Sequence, residues 1–374
     1  MKAKKYDVVI IGAGITGLLL QLKLVEMGCK VLLIEKNAEL AKGASTKCEG
    51  ILHCGLYHAY SITNIPEAIA VARKCIYGYK QILAKYPQVV EEFFLETVAI
   101  LKDAESASRA TERWDKAGVW YEQINFEHAQ RILPEANLSD GFGFFKAKEK
   151  SINPRLLLHL IQNQIVGLHN GEIMNDVCDI KFITKNSFAA ILSNGEYEVV
   201  ESDFIVYAAG KGTKSIFERE FKIELPIKIF KAHLLTTNRL CKNNIYCLDE
   251  KEVTIFHHAN KTIIGLTKYN KECGENDFEI EPEAVKELLC KTAKYLSTKH
   301  ASINPYWCHK VDYGQNGLYH SLDTQLHEPF PNHFIALPGK LTEAPWICDN
   351  LLREIFTRMN RSAIAERPCD KLDL

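Results

Sequence analysis

The chain has 374 residues, a formal net charge of -1 and a hydrophobic fraction of 47%. This length exceeds what one hydrophobic core usually organises, so we expect two intertwined domains. The charge is balanced and no basic block occurs, which argues against a nucleic-acid partner. No uninterrupted apolar stretch reaches about 18 residues, so we predict no transmembrane segment.

The segment from residue 7 to residue 35 carries the strongest local pattern. An apolar run at 7–11 is followed at once by Gly-Ala-Gly-Ile-Thr-Gly at 12–17. A helical apolar pattern then leads to a second apolar run at 31–34, which ends in Glu35. Strand, glycine turn, helix, strand and acid stand in the order of the dinucleotide-binding fingerprint. The alternative is an ordinary βαβ unit that binds nothing.

Each part of this fingerprint has a physical role. Gly12 permits a tight turn, Gly14 lets the backbone approach a pyrophosphate, and Gly17 lets the helix pack closely on the strand. The N-terminus of the helix offers free N–H groups and the positive end of its dipole to phosphates. Glu35 can accept hydrogen bonds from ribose hydroxyls.

The N-terminal lysines and the cysteines argue for a protein of the cytoplasm. Residues 1–5 resemble the positive start of a signal peptide, but the apolar run behind them carries the glycine pattern, so we interpret them as the folded start of an enzyme. The 12 cysteines are scattered, without a Cys-x-x-Cys pair. We expect reduced thiols, no metal site and a cytoplasmic location, with peripheral membrane contact left open.

The remaining chain alternates between helical and strand-like patterns. Helical spacing predicts helices over 66–86, 106–117, 282–298 and 346–359, and Pro154 opens another near its first turn. The segments predicted as strands are 93–101, 171–174, 177–183, 188–193, 196–201, 203–210, much of 225–268, and 334–337. Adjacent His257 and His258 fall in such a strand and point to opposite faces, so a metal pair is improbable.

Four separated patches resemble the flavin-dependent oxidoreductases of the D-amino-acid-oxidase type. They are residues 12–35; 44–46 with 51–57; 152–154 with 177 and 208–210; and 339–342. Within that superfamily the chain is most similar to the FAD-linked glycerol-3-phosphate dehydrogenases and the L-2-hydroxyglutarate dehydrogenases. The Gly-Lys-Leu-Thr tetrad at 339–342 points most toward the glycerol-3-phosphate group.

The resemblance implies an α/β fold, with a Rossmann-like FAD-binding domain and an inserted mixed α+β substrate domain, or cap. We expect the FAD-binding domain to comprise residues 1–77, 150–215 and 309–374. Residues 78–149 and 216–308 would then form the cap.

The implied cofactor is FAD, cradled along its length. The residues expected to bind it are Gly12, Gly14, Ile15, Thr16, Gly17, Glu35, Lys36, Ser45, Thr46, Val177, Ala209, Gly210, Gly339, Lys340, Leu341 and Thr342. Backbone N–H groups at 339–342 would stabilise negative charge on the reduced flavin.

His53 falls in the patch that the resemblance places beside the isoalloxazine ring. A neutral imidazole suits the proton that leaves an alcohol during oxidation, so we predict a catalytic base. A histidine that only contacts the cofactor, or one covalently attached to it, remains open. Tyr57, Lys310 and Tyr313 complete the expected catalytic set.

Two departures from the glycerol-3-phosphate group concern the substrate. That group carries an arginine at the position of Tyr57, and an Arg-Pro-containing segment at 310–314. These arginines would bind a phosphate bidentately, so their absence weakens the expectation of a phosphorylated substrate. Lys310, His309 and Tyr313 could bind a carboxylate or hydroxyls instead. We also expect no extra C-terminal helical domain.

The predicted activity is hydride transfer from a CH–OH carbon of a small polar substrate, a 2-hydroxy acid or a glycerol-phosphate-like polyol, to flavin N5. An amine or amino-acid oxidase or dehydrogenase is the first alternative. A flavin-binding electron-transfer or regulatory partner without turnover is the second, and a nicotinamide enzyme is disfavoured. The electron acceptor, whether oxygen, a quinone or a protein, stays open.

Overall fold

The computed structural model describes residues 3–40, 42–249, 252–266, 272–314 and 325–359. The helices are α1 Ile15–Glu26, α2 Ala44–Lys47, α3 Leu56–Ser61, α4 Ile65–Lys85, α5 Ala104–Ala117, α6 Phe126–Ile132, α7 Pro154–Val166, α8 Gly212–Phe221, α9 Pro282–Tyr295 and α10 Ala344–Arg358. Short 3₁₀ turns cover Pro87–Val89 and Leu341–Glu343. No helix among the described residues is long and apolar enough to cross a bilayer.

The strands fall into two large sheets and one two-stranded sheet. They are β1 Lys4–Ile11, β2 Val31–Ile34, β3 Ile51–Leu52, β4 Thr97–Leu101, β5 Tyr121–Ile124, β6 Gly143–Ala147, β7 Lys150–Ser151, β8 Gly171–Met174, β9 Val177–Thr184, β10 Ser187–Leu192, β11 Tyr197–Tyr207, β12 Ile227–Asn238, β13 Asn244–Cys247, β14 Val253–His258, β15 Lys261–Leu266, β16 Asn304–Tyr313, β17 Gln325–Phe330 and β18 His333–Leu337. Strand and helix alternate through the first sheet, which confirms the α/β class.

The first sheet has a parallel centre with the order β18-β11-β1-β2-β8. The long strand β11 pairs with β1 along one edge, while its other edge pairs first with β10 and then with β18. As a result, the carboxyl ends of β1, β2 and β11 lie side by side. Ligands of open α/β sheets bind at this edge.

Helix α1 packs between this sheet and other helices, which explains its apolar sequence. Ten of its 12 residues are buried, and it contacts both α7 and α10. The buried Gln21 satisfies its amide by donating from Nε2 to the Glu172 carbonyl at 2.8 Å. A helix that is apolar on nearly all sides is typical of a layer covered on both faces.

The second sheet has the order β16-β12-β15-β14-β13-β4-β6-β5, and strand β16 extends toward the first sheet at its edge. Separate apolar clusters include Trp114 and Phe145 in one and Ile255 and Leu288 in another. The small sheet β3–β7 pairs Ile51 with Ser151, beside the segment that carries His53.

Most predicted elements are confirmed, with shifts at their ends. The Asn153 side chain accepts a hydrogen bond from the Leu156 N–H at 3.1 Å and caps α7 in front of Pro154. The strand predicted over 93–101 begins only at Thr97, because Phe93 and Phe94 lie in an exposed turn. The segments predicted at 196–201 and 203–210 form a single strand, β11, that ends at Tyr207.

The sheets draw on separate stretches of the chain. Described strands of the first sheet come from 4–34, 171–207 and 325–337, and those of the second from 97–147, 227–266 and 304–313. Three expected boundaries fall inside elements: 77/78 in helix α4, 215/216 in helix α8 and 308/309 in strand β16. The division into two domains, with its boundaries, stays a prediction.

Candidate active site

The turn from β1 into α1 requires glycine at its first position. Gly12 has a φ of +109°, and a Cβ there would lie 2.6 Å from the Ala208 carbonyl oxygen. Ala208 follows β11, so the close approach of two neighbouring strand ends leaves no room for a side chain. The first glycine of the motif is therefore demanded by backbone packing.

The N-terminus of α1 is open toward a ligand. Gly14 is its N-cap and supplies no side-chain cap, while Ser45 on α2 accepts a hydrogen bond from the Ile15 N–H at 3.1 Å. A Cβ on Gly17 would lie 1.9 Å from the Gly12 carbonyl oxygen. Gly17 thus holds the helix against the turn, as predicted, and the first N–H groups of α1 point into a site suited to an anion.

Glu35 follows β2 and braces the glycine turn. Its Oε2 accepts from the Ala13 N–H at 2.9 Å, and its Oε1 accepts from the Asn37 N–H at 3.0 Å. The Val177 N–H donates to the Glu35 carbonyl at 3.1 Å, which brings β9 to the same place. Oε1 also accepts from Asn37 Nδ2 at 2.5 Å, whereas Oε2 has a further lone pair, so Glu35 can still accept from a ribose hydroxyl.

One elongated cavity of about 570 Å³ runs past these elements. The predicted cofactor residues that line it are Gly12, Gly14, Ile15, Thr16, Glu35, Lys36, Ser45, Val177, Ala209, Gly210, Gly339, Lys340 and Leu341. Three others do not line it: Gly17 in the helix packing, Thr46 on α2, and Thr342. The cavity therefore joins patches that are far apart in the chain.

The segment that carries His53 is held by a buried carboxylate and a hydroxyl. Glu149 accepts hydrogen bonds from the N–H groups of Cys54 and Leu56, each at 3.3 Å. The His53 N–H donates to Thr342 Oγ1 at 3.0 Å, which links the segment to the turn before α10. Gly55, with a φ of +96°, lets the chain turn into α3 beneath Ala72.

His53 lines the cavity as a neutral imidazole. Its side chain is only 8% exposed, and its buried Nδ1 makes no hydrogen bond. Burial, with Lys340 and Lys310 nearby, holds the pKa of His53 well below its usual value. A neutral ring can accept a proton, which is the chemistry expected of a base.

Two lysines lie near His53 in the cavity wall. Lys310 forms an ion pair with Glu49 at 3.4 Å, and both residues line the cavity. Burial, together with Lys310, lowers the pKa of Lys340 to about 8, so that its ammonium still predominates at neutral pH. Of the described residues that line the cavity, the one arginine is Arg219, which bonds the Ile180 carbonyl on β9, away from His53.

The structure separates Tyr57 and Tyr313 from the cavity, contrary to expectation. The Tyr57 ring packs against Tyr246, with ring centroids 6.1 Å apart, inside a buried cluster. The Tyr313 ring stacks on His327, with centroids 3.6 Å apart, at the end of β16. Residues of strand β16 alternate between opposite faces of the sheet. The sequence does not show how the strand twists or where it ends, so it could not show that Tyr313 lies outside the cavity.

The middle of the cavity is covered by residues that the sequence did not single out as a group. Lys211 donates from Nζ to His309 Nδ1 at 3.0 Å, so the other ring nitrogen, Nε2, donates to the Asp277 carbonyl at 2.8 Å. The Trp307 ring stacks on Phe278, with centroids 5.2 Å apart. Lys211 directly follows Gly210, a predicted cofactor residue. This position in the sequence could have indicated that Lys211 lies at the site.

Glu149 and His58 were also missed by the sequence reasoning. No local pattern marks either one, because their partners lie in other elements. His257 is bonded to Thr262 and Cys241 inside the second sheet. Among the described residues there is no cluster suited to a metal, and the cysteines are free.

The residues of this site fit FAD. Their packing against one another does not itself require a ligand. A Cβ would fill the glycine turn, the N-cap residue Gly14 supplies no side chain to the N-terminus of α1, and the cavity wall includes both Glu35 and His53. A long molecule with a pyrophosphate at its middle matches this arrangement.

Residues 7–337 match the family model described as FAD dependent oxidoreductase, DAO. The chain belongs to the DAO family. The match covers most of the chain, including both sheets, and establishes FAD as the cofactor of this oxidoreductase family member.

A curated relative agrees over a short stretch. The L-2-hydroxyglutarate dehydrogenase of Indibacter alkaliphilus is 36% identical over 80 residues. That alignment spans 21% of this chain and only 18% of the relative, so it does not transfer the relative's activity.

Solved structures of DAO-type enzymes share the fold over nearly the whole chain. The FAD-bound L-alpha-glycerophosphate oxidase of Mycoplasma pneumoniae has a TM-score of 0.76 at 15% identity, covering 94% of this chain and 95% of that one. L-proline dehydrogenase from P. horikoshii has a TM-score of 0.76 at 16% identity, covering 96% and 95%. Glycine oxidase from Geobacillus kaustophilus has a TM-score of 0.72 at 15% identity, covering 95% of each chain. At these identities, the likeness concerns the fold alone.

Proposed function

We propose that this DAO family member oxidises the CH–OH carbon of a small anionic hydroxy compound, with a 2-hydroxy acid as the leading substrate class. The observation that carries the proposal is His53, a neutral buried imidazole on the cavity wall near two lysines. The substrate's O–H proton goes to His53, and its C–H bond breaks with the electron pair leaving as hydride. FAD, when bound, supplies the hydride acceptor.

The lysines favour a carboxylate over a phosphate. Lys310 and Lys340 offer point charges rather than the flat fork of an arginine, and Arg219 lies toward β9. A bidentate arginine is the usual partner where a phosphate must be gripped in one orientation. Glu49 holds Lys310 through its ion pair and so limits how far that ammonium can move.

In the proposed mechanism, separate residues bind the cofactor, bind the substrate and accept the proton. The N-terminus of α1, Ser45 and Glu35 hold the pyrophosphate and ribose of the cofactor. The backbone N–H groups of Leu341 and Thr342 are offered to the flavin, since that of Lys340 donates to Glu343 Oε2 at 3.2 Å, and Thr342 Oγ1 fixes the backbone of His53. Lys310 binds the substrate carboxylate, and His53 accepts the hydroxyl proton.

Flavin reduction tests this proposal without knowledge of the electron acceptor. The holoenzyme is mixed anaerobically with L- and D-2-hydroxy acids, glycerol 3-phosphate and the matching amino acids, and flavin absorbance is followed. We expect bleaching by a 2-hydroxy acid, and slower bleaching when C2 carries deuterium. His53→Gln should slow reduction by about 10²–10⁴-fold, as expected for loss of a general base.

The matched control is His257→Gln, which changes a buried histidine that is bonded to Thr262 and Cys241 inside the second sheet and does not line the cavity. Its reduction rate should stay close to that of the unaltered protein. Bleaching by an amino acid but not by any hydroxy acid would instead identify an amine oxidase or dehydrogenase. Resistance to the whole panel would favour an electron-transfer or regulatory partner.

A further inference from the structure

His58 lies directly behind His53 and has no part in the chemistry described so far. The two rings meet edge to face, with centroids 4.9 Å apart and an interplanar angle of 89°. The left-handed turn at Gly55 reverses the chain between them, so that α3 brings His58 under His53. His58 is fully buried.

Each ring has a buried nitrogen that lacks a hydrogen bond. These atoms are Nδ1 of His53 and Nε2 of His58. A buried polar atom without a hydrogen bond destabilises the fold, and two such atoms on adjoining rings are unusual. A neutral imidazole has one donor and one acceptor, so a single water between these nitrogens would satisfy both.

The other nitrogen of each ring has a different environment. His58 Nδ1 lies 3.6 Å from Cys75 Sγ, which leaves Nε2 as the nitrogen available to a water. Because Nδ1 of His53 is buried, Nε2 is the nitrogen left to face the cavity. In this arrangement His53 receives a proton on one side and can release one on the other.

We propose that His58 is a positioning residue that shares one buried water with His53 and accepts, through that water, the proton that His53 gives up after taking one from the substrate hydroxyl. This inference rests on the oxidation proposed above. In atoms, the hydroxyl proton binds His53 Nε2, the Nδ1 proton passes to the water, and a water proton passes to His58 Nε2.

The surroundings explain why one histidine alone would be a poor base. Burial, with His53 itself, Lys340 and Lys310, holds the pKa of His58 well below its usual value, as it does for His53. Two imidazoles that share one proton spread its charge, whereas a lone buried ring must hold it. The titratable groups that face the pair are Cys54, Tyr57, Cys75, Glu149, Tyr246, Lys310, Lys340 and Glu343.

The kinetic test uses His58→Gln in the holoenzyme. Gln can hydrogen-bond a water but cannot take up its proton. We expect the limiting rate of anaerobic flavin reduction to fall about tenfold to a hundredfold, a part of the usual worth of acid–base catalysis. The acidic limb of its pH profile should move to lower pH, because His53 becomes a weaker base.

The control is His257→Gln, which alters a buried histidine bonded to Thr262 and Cys241 within the second sheet. It should change neither the rate nor the limb. A His58→Gln protein with unchanged kinetics, or with a lower rate but an unmoved acidic limb, would overturn the relay and leave His58 a packing residue.

A spectroscopic test needs no substrate. Imidazole ¹⁵N signals of the unaltered holoenzyme, assigned with His53→Gln and His58→Gln, should show that removal of either ring changes the tautomer or titration of the other. Independent His58 signals would overturn the relay even where hydroxy acids reduce the flavin. If the His53 and His58 signals are coupled but no hydroxy acid reduces the flavin, the proposed oxidation is refuted, whereas the shared water is supported.

Discussion

Glu35 shows how one side chain serves both the fold and the site. Its carboxylate accepts from the Ala13 N–H in the glycine turn and from Asn37 beyond β2. It is 8% exposed and lines the cavity beside Val177. The acid of the fingerprint therefore shapes the turn that a pyrophosphate would contact, in addition to any bond with ribose.

Replacing Glu35 with Gln should weaken FAD binding about tenfold to a hundredfold. The amide replaces one acceptor oxygen with an NH₂ donor, which then points at a backbone N–H, so a hydrogen bond is lost. A hydrogen bond to a charged group is worth about 1.5–3 kcal/mol. The measurement is a fluorescence titration of the apoprotein with FAD. Glu172→Gln, on the adjacent strand β8 but outside the cavity, should leave the affinity unchanged. Equal affinities for both variants would contradict this role.

Helix α1 depends on a close contact that only glycine allows. Gly17 lies against the Gly12 carbonyl, and the buried side chains of α1 press it onto the sheet. The contact fixes the direction of the helix N-terminus. A shift of the helix by a few tenths of an ångström would move every N–H group that faces the cavity.

We expect Gly17→Ala to lower stability and FAD retention despite the better helix propensity of alanine. Propensity alone would gain up to about 1 kcal/mol, whereas overpacking costs about 1–3 kcal/mol. The thermal midpoint and the flavin content after gel filtration measure the outcome. Gly167→Ala, where the nearest atom to a new Cβ is 3.6 Å away, is the control. A Gly17→Ala protein as stable and as yellow as this control would refute the argument.

Buried histidines make the folding stability of the whole molecule depend on pH. Burial lowers the pKa of His257 to about 3 and that of His258 to about 4, and it also lowers those of His53 and His58. Unfolded histidine binds a proton near pH 6.5, so below that pH the unfolded chain holds more protons than the folded one. The stability from these neutral rings is present above pH 6.5 and declines as pH falls toward the folded values.

The free energy of unfolding should therefore fall between pH 6.5 and 4.5 by about 1.4 kcal/mol per pH unit for each such histidine. Urea unfolding at several pH values measures this slope. His257→Gln should reduce this slope by the contribution of one proton, about 1.4 kcal/mol per pH unit. His169→Gln, at an exposed position, is the control and should leave the slope unchanged. A slope that is the same in both variants would show that His257 does not titrate as described.

The local patterns foretold most elements because each depends on near neighbours in the chain. Pro154 after Asn153 starts a helix, and Gly12 ends a strand in a turn, whatever lies elsewhere. Phe93 and Phe94 misled the strand prediction, since an apolar pair reads alike in a strand and in an exposed turn. Of the 16 cofactor residues that the family resemblance implies, 13 line the cavity, because each patch of the resemblance is short and contiguous.

By itself, the sequence determined the cofactor end of this protein: the turn at Gly12, the helix above it and the acid at Glu35, all within one βαβ unit. Only the tertiary structure decided the other end. It set Glu149 against the segment of His53, paired Lys310 with Glu49, and took Tyr57 and Tyr313 out of the cavity. It also brought His58 beneath His53. The physical reason is that these contacts depend on how two sheets pack and twist, and no neighbouring residue records that geometry.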